Sequence, residues 1–486
     1  MRHSGKSLDI RVFFALSPFR GPFVVAASPR YESADNFCAA SADLSGRGSI
    51  ARRNPLCPWL LCPDHQIAKN YGKSFDIIGL VSYLCGSSGS RIISMRDIVQ
   101  STVEFENWLR TQITLRNDHL QAKHDKMSEQ LFEFFRATFY RWCERWNEAC
   151  PEWARAQPVV AVGDLHIQNF GSWRDGRGRL IWGVNDYDEA STLSFAIDLV
   201  RLAASAELAS EIIPDCELTL SEICETIRDG YLAGIEGGGE PFVLERRHAW
   251  LLRLVRAVLK EPKRFWKGWL EDKTQPVAEE KLPHQLAILL REALPAGAAV
   301  EFREMKLGVT KGLGSLGHDR FFGYTEHQGG PLAAEGKSVA LSAALWANGQ
   351  SKGQLEMEKL LRTEMRPYSP GTMIHRGWLI RPLMSDCGRI DLSLLNVDVD
   401  RATVNLDQDR LLMAMGFEVA NLHLLSTPAE QLTKAISEFR VPVFRKTTET
   451  MLDLIRSDYK AWRKYWREAR VRNAIPESEK SPASAT

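Results

Sequence analysis

Residues 159–189 read VVAVGDLHIQNFGSWRDGRGRLIWGVNDYDE, and the spacing of acids and amides within this stretch decides how the rest of the chain is read. An apolar run over 159–162 leads directly into Asp164, His166 and Asn169. Strand-like runs over 169–173 and 180–184 flank Asp175-Gly176, and Asp-Gly between such runs is a hairpin signal. Asp186 and Asp188 follow the second run at once. A hairpin brings its two ends together, so Asp164, Asn169 and Asp186 are expected to converge at one mouth. Two or three hard oxygen donors suit Mg²⁺, which takes few protein carboxylates and keeps its other positions for water and phosphate. A single Asp or Asn in a turn usually bonds its own backbone. That chemistry does not call for an Asp, a His and an Asn together just after a buried-looking strand.

GDLHIQN followed by NDYDEA is similar to the catalytic and metal-binding segments of kinase-like phosphotransferases of the aminoglycoside and choline kinase type. A closer resemblance is to a bacterial family, domain of unknown function 2252, which shows GD-x-H-x-x-NFG, NDFDE and D-x-x-RLA. Here these stand at 163–171, 185–189 and 198–203, and the resemblance extends over about residues 95–470. It implies that Asp164 accepts or orients the proton of an attacking hydroxyl. It also implies that Asn169 and Asp186 hold metal ions bridging nucleotide phosphates, with Asp188 as a further carboxylate. His166 either fixes the loop or touches phosphate. Asp198, at the start of an apolar helix with Arg201 one turn on, is read as a brace behind the catalytic loop.

A second constellation lies downstream, in LGVTKGLGSLGHDRFFG at 307–323. Gly312, Gly314 and Gly317 have G-x-G-x-x-G spacing around Ser315, and glycines let backbone amides approach a polyphosphate. No helix opens after Gly317, so a strand–loop–strand lid fits better than a dinucleotide fingerprint. Lys337 then precedes an apolar run, where a phosphate-binding lysine is expected. A helical stretch over 353–365 offers Glu356 or Glu358 as its partner. In ordinary kinases the glycine loop and lysine precede the catalytic Asp, whereas here they follow it. The expected fold is therefore α+β, bilobal and protein-kinase-like, with circular permutation.

Composition sets outer bounds. Hydrophobic residues at 44% and charged residues at 25% are ordinary globular values, and a net charge of +1 marks neither a nucleic-acid surface nor a polybasic membrane anchor. No run approaches the roughly 18 apolar residues that span a bilayer. Nine cysteines with scattered spacing fit a reducing cytoplasm better than a disulfide scaffold. Cys57, Cys62 and His65 lack an evident fourth zinc ligand. Residues 1–94, rich in Ser, Gly, Pro and Arg, are expected to be a poorly ordered extension, and the tail from 473 to be loose. Between them the sequence suggests a helical catalytic lobe over 95–300, a β-rich lobe over 301–400 and returning helices over 401–472.

The expected function is ATP- and Mg²⁺-dependent phosphotransfer to a hydroxyl acceptor that the sequence does not identify. Two competitors remain: a nucleotide-binding pseudokinase without turnover, and a metal-dependent phosphohydrolase using Asp164, His166, Asp186 and Asp188. The latter leaves the glycine loop and Lys337 without a task. Oligomeric state is not legible.

Overall fold

Leu131, Phe134, Phe135, Thr138 and Trp142 recur at helical spacing, and all but the partly buried Leu131 are buried, yet they sit on two helices. Leu131–Ala137 and Phe139–Ala149 meet at Thr138, whose φ of −124° and ψ of 42° are non-helical. Thr138 Oγ1 donates to the Phe134 carbonyl at 2.7 Å, a back-bond that bends helices. This computed structural model describes residues 96–212, 218–245, 247–259, 261–307, 309, 313–361, 365–389 and 401–474. The expectations for residues 1–94, for Cys57, Cys62 and His65, for Gly312 and for the tail from 475 lie outside the described residues.

The fold is mixed α+β. Strands β1 (Pro158–Ala161), β2 (Phe170–Arg174), β3 (Leu180–Val184), β4 (Ser191–Ser194) and β5 (Phe242–Val243) lie within the helical part. β1 pairs with β4, and β2, β3 and β5 form a small sheet. The Asp175-Gly176 turn does join a hairpin, in register Phe170↔Val184 through Arg174↔Leu180.

A second sheet comprises β6 (Thr274–Pro276), β7 (Glu301–Met305), β8 (Arg320–His327), β9 (Gly330–Ser338), β10 (Met373–His375) and β11 (Trp378–Leu383). Its order is β10-β11-β9-β8-β7-β6, antiparallel throughout. The helix His284–Glu292 covers one face, burying Leu286 and Leu290 with Phe302, Phe321, Ala334 and Ile380 in a core of their own. That core reaches back to Leu282 and the sheet to Thr274, so the β-rich part begins before residue 301.

Strands are expected over 306–322 and 338–344 from their apolar and aromatic runs, and both expectations shift. β7 ends at Met305, before the first stretch, and its aromatic run begins β8 at Arg320. Residues 338–344 are not a strand either. β9 ends at Ser338, and the Ser342 hydroxyl accepts from Ala344 N to start a short helix, Ala343–Ala347. The signal overlooked was the turn at Gln328-Gly329, with φ of 48° and 81°, which links β8 to β9 by two residues. Two successive left-handed residues match the twist of a tight hairpin.

The helices Leu220–Glu236 and Arg401–His423 form the most intimate helix pair. A Cβ on Gly230 would stand 2.0 Å from the Met413 carbonyl oxygen, and one on Gly416 would stand 2.1 Å from that of Ile227. Backbone therefore lies directly on backbone, and the pair has no room for a methyl group. Met415, Val419 and Leu422, the expected apolar face of the second helix, are all fully buried. Among the described residues no helix is long and apolar enough to cross a membrane.

Gly230→Ala is expected to lower the free energy of unfolding by roughly 1–3 kcal/mol, the usual cost of overpacking. Urea titration followed by circular dichroism measures it; an unchanged midpoint would contradict the backbone contact.

Candidate functional site

The segment after β1 is shaped by a buried carboxylate. Asp198 is inaccessible to solvent and accepts from Val162 N at 2.7 Å and Gly163 N at 2.9 Å. His423 Nε2 lies 3.1 Å from Asp198 Oδ2, and His423 Nδ1 lies 2.8 Å from the Tyr231 hydroxyl. Tyr231 and His423 come from the close-packed helix pair, so that packing sets the position of the loop. Ser205 Oγ adds a bond from Ile167 N at 3.0 Å. Gly163 has φ +85°, and a Cβ there would stand 2.3 Å from the Glu189 carbonyl oxygen. The loop carrying Asp164 is thereby pressed onto the segment carrying Asp186 and Asp188.

Asp164 and Asn169 follow from this framework. Arg201 donates to Asp164 Oδ1 through Nε at 3.0 Å and also through Nη2. Arg201 is itself fully buried, with its guanidinium 4.1 Å from the Phe135 ring and about 5 Å from those of Phe139 and Trp142. Burial raises the affinity of Asp164 for a proton, and the nearby Arg201 and Arg136 only partly offset it. Asn169 Nδ2 donates to the carbonyls of Asp186 at 3.0 Å and Asp164 at 3.3 Å. Those bonds orient the amide and leave Oδ1 as its coordinating atom. His166 is buried, with Nδ1 lacking a partner, and burial pushes its proton affinity well below the usual range.

Lys337, at the end of β9 and 1% exposed, extends to this segment. Its ammonium pairs with Asp188 and lies 3.6 Å from Asp186 Oδ1. Burial works against the charge of Asp186, but Lys337 and Arg381 outweigh it and hold the carboxyl at about 2. Asp188 is pushed the other way, to about 6, by burial and by Asp186 beside it. Arg381 lines the cavity, and it and Arg320 clasp the buried Glu335.

The expected acidic partner of Lys337 is different. Glu356 instead accepts from the Thr192 hydroxyl at 2.8 Å and from Lys359 at 3.1 Å, and Glu358 is exposed. The carboxylates of the hairpin segment already satisfy the lysine, so neither glutamate is drawn to it.

The loop between β7 and β8 lies over Asp164. A Cβ on Gly314 would sit 3.2 Å from Asp164 Oδ2, so this glycine is where the backbone approaches the carboxylate. The nine-tenths buried Lys123, from helix Asn117–Glu129, donates to the Gly314 carbonyl at 3.2 Å. Ser315 Oγ accepts from Arg320 at 2.9 Å. Gly317 turns with φ +110° against Leu120. Asp164, Asn169, Asp186, Asp188, Gly314 and Ser315 all line one cavity of about 320 Å³.

Among the described residues no three His, Cys, Asp or Glu side chains converge as a metal site. The donors that do meet are an amide and two acids, both within ion-pair reach of Lys337. A hard divalent ion fits the cavity side of this set: Asp186 is ionised and 43% exposed, and Asp188 Oδ1 is buried without a partner among the described residues.

Arg201, Lys123, Arg136 and Glu335 belong to this region without having been foreseen as parts of it. Only Arg201 left a trace, in its spacing from Asp198 within D-x-x-R.

Residues 116–251 match the family described as an uncharacterized protein conserved in bacteria, DUF2252. The match takes in the Asp164 loop, the hairpin and Asp198, and is shorter than the 95–470 span of the sequence resemblance. No curated protein and no solved structure matches the chain.

Lys337→Met removes the cation facing Asp188 and is expected to cost roughly 3–5 kcal/mol near pH 8, as when one partner of a buried pair is lost. A carboxyl whose folded pKa lies above its unfolded value loses stabilisation as pH rises through the folded value. Lys337 holds the Asp188 carboxyl down, so without it Asp188 takes up its proton at a higher pH, and the deficit of the variant should shrink as pH falls from 8 toward about 6. Thermal unfolding of both proteins between pH 5 and pH 8, at roughly constant ionic strength, checks this; a pH-independent deficit speaks against it.

Proposed function

We propose that this protein is an ATP- and Mg²⁺-dependent phosphotransferase with a circularly permuted, kinase-like arrangement. It transfers the γ-phosphoryl group to a hydroxyl. One observation carries the reading: Lys337 from the sheet reaches Asp186 and Asp188, while the glycine loop of the same sheet lies over Asp164. Stretches more than 100 residues apart thus set a flap and an acidic wall around one cavity, with Lys337 buried behind the acids. That combination suits a triphosphate better than it suits a small neutral ligand.

In this reading Asp164 receives the proton as the acceptor oxygen bonds to phosphorus and the bond to the departing ADP breaks. Arg201 fixes Oδ1 of Asp164, which leaves Oδ2 to face the reacting hydroxyl. Burial makes this carboxylate more basic than a free one, which favours taking up a proton. Asn169 and Asp186 are the residues that would hold a magnesium ion, which supplies charge neutralisation for the phosphates. Lys337 adds a fixed positive charge beside the same position, and Lys123 holds the flap by its Gly314 carbonyl. Positioning and electrostatics would account for most of the rate.

A two-ion phosphohydrolase is less well supported, because no three acidic or histidine side chains converge among the described residues. His166 is also kept neutral beside cations, a setting in which a second ion is disfavoured.

Asp164→Asn and Asp186→Asn are each expected to reduce ATP turnover by at least roughly 100-fold; Asp164→Asn, which strips the buried Arg201 of its carboxylate, should also lower the unfolding midpoint, whereas Asp186→Asn, which leaves Lys337 paired with Asp188, should leave it nearly intact. The assay incubates the full chain with Mg-ATP and a metabolite extract, following ADP release and new phosphorylated masses. Undiminished turnover in either variant would reject the role of that residue. Mg-ATP binding by the wild type without any product would leave a nucleotide-binding module instead.

A further inference from the structure

Beside Asp164 the cavity has a wall rich in uncommitted donors. Arg136 Nε and His166 Nδ1 are buried and have no hydrogen-bond partner among the described residues. Arg136 and His166 are each 7% exposed, and both line the cavity. Buried polar atoms are nearly always paired, so a cluster of unpaired ones at a cavity wall marks the place of a missing partner.

The sign of that partner follows from the charges nearby. Arg136 has one ion pair, from Nη1 to the partly exposed Glu133 at 3.3 Å, which leaves its Nε edge uncommitted. The charged groups acting on His166 are Arg136, Arg201 and Arg389, all cationic. Glu133 and Asp164 are already claimed by Arg136 and Arg201. The opposite situation holds around Lys337, which has Asp186 and Asp188 beside it. The cavity thus has one side where two carboxylates flank a lysine and another where an arginine and a histidine present unpaired nitrogens. An oxyanion is a partner to which the arginine N–H can donate, whereas an ammonium group would be repelled by it.

We propose that Arg136 and His166 form an anion subsite beside Asp164, and that the hydroxyl compound offered to Asp164 carries a phosphate or carboxylate held there. Calling this group the acceptor's anchor rests on the phosphotransfer reading; anion binding at the wall does not. The geometry thereby selects anionic alcohols, such as phosphorylated polyols or hydroxy acids, over the amino-substituted compounds that a wall of free carboxylates would take. Arg136 supplies charge and a directed donor, and the neutral imidazole of His166 supplies a second donor at no further cost in charge.

The test is isothermal titration of the full chain with glycerol 3-phosphate, glycerate and glycerol, each with and without saturating ADP. Both anions are expected to bind and glycerol not, and ADP should leave the anion affinities within about twofold, since the subsite is separate from the Lys337 wall. Arg136→Gln and His166→Gln should each weaken anion binding roughly 10- to 100-fold, as expected for loss of a hydrogen bond to a charged group, with ADP affinity unchanged. If Arg136→Gln does not fold, Arg136→Lys and His166→Gln give the same comparison. The proposal is overturned if glycerol binds as well as the anions, if ADP displaces them, if neither variant weakens them, or if no anion binds saturably. Anion binding that depends on Arg136, in a protein that does not bind ADP, upholds the subsite and removes the phosphotransfer reading.

Discussion

The buried carboxylate of Asp198 is the constraint on which the site depends. Two backbone amides of the Asp164 loop and a histidine from a distant helix share its oxygens, with no solvent to take their place. An acid in such surroundings is tolerable only when its hydrogen bonds are complete, so the loop has little freedom to leave it. Because His423 and Tyr231 complete the network, the loop is also tied to helices that meet backbone to backbone at Gly230 and Gly416. A fault in that helix contact would reach the Asp164 loop through only two side chains.

The opposite face of the site is held by charge. Lys337 projects from the end of a strand into the acidic pair, and Glu335 on the same strand is clasped by two arginines. These alternate with the apolar side chains that the sheet buries beneath the helix His284–Glu292. The strand therefore does two things with its two faces: one packs a core and the other arranges charges along the cavity. Glu335 and Lys337 stand two positions apart with Gly336 between them, as that division requires.

The aromatic helices near the start of the described chain have a related part. Phe135 and Trp142 were legible as core, and core they are, yet together with Phe139 they also surround the Arg201 guanidinium. Their ring faces stabilise a cation buried far from water, and that cation orients Asp164. Packing and site chemistry share the same side chains here, which is why the boundary between them is not visible in a pattern of apolar residues.

The sequence by itself determined the local features: the hairpin between β2 and β3, the acids and amide that flank it, the strand–loop–strand setting of the glycines, and the apolar faces of the long helices. Each depends on residues close along the chain, where turn chemistry and periodicity act directly. It misplaced the strand carrying Lys337, because the Gln328-Gly329 turn is a weaker mark than Asp-Gly and the apolar run after Ser338 resembles a strand. Only the tertiary structure decided that Lys337 meets Asp186 and Asp188 rather than Glu356 or Glu358, and that Arg201 claims Asp164. The same holds for the cations gathered beside His166. Those outcomes are settled by which charges are brought together out of water, and spacing along a chain carries no record of that.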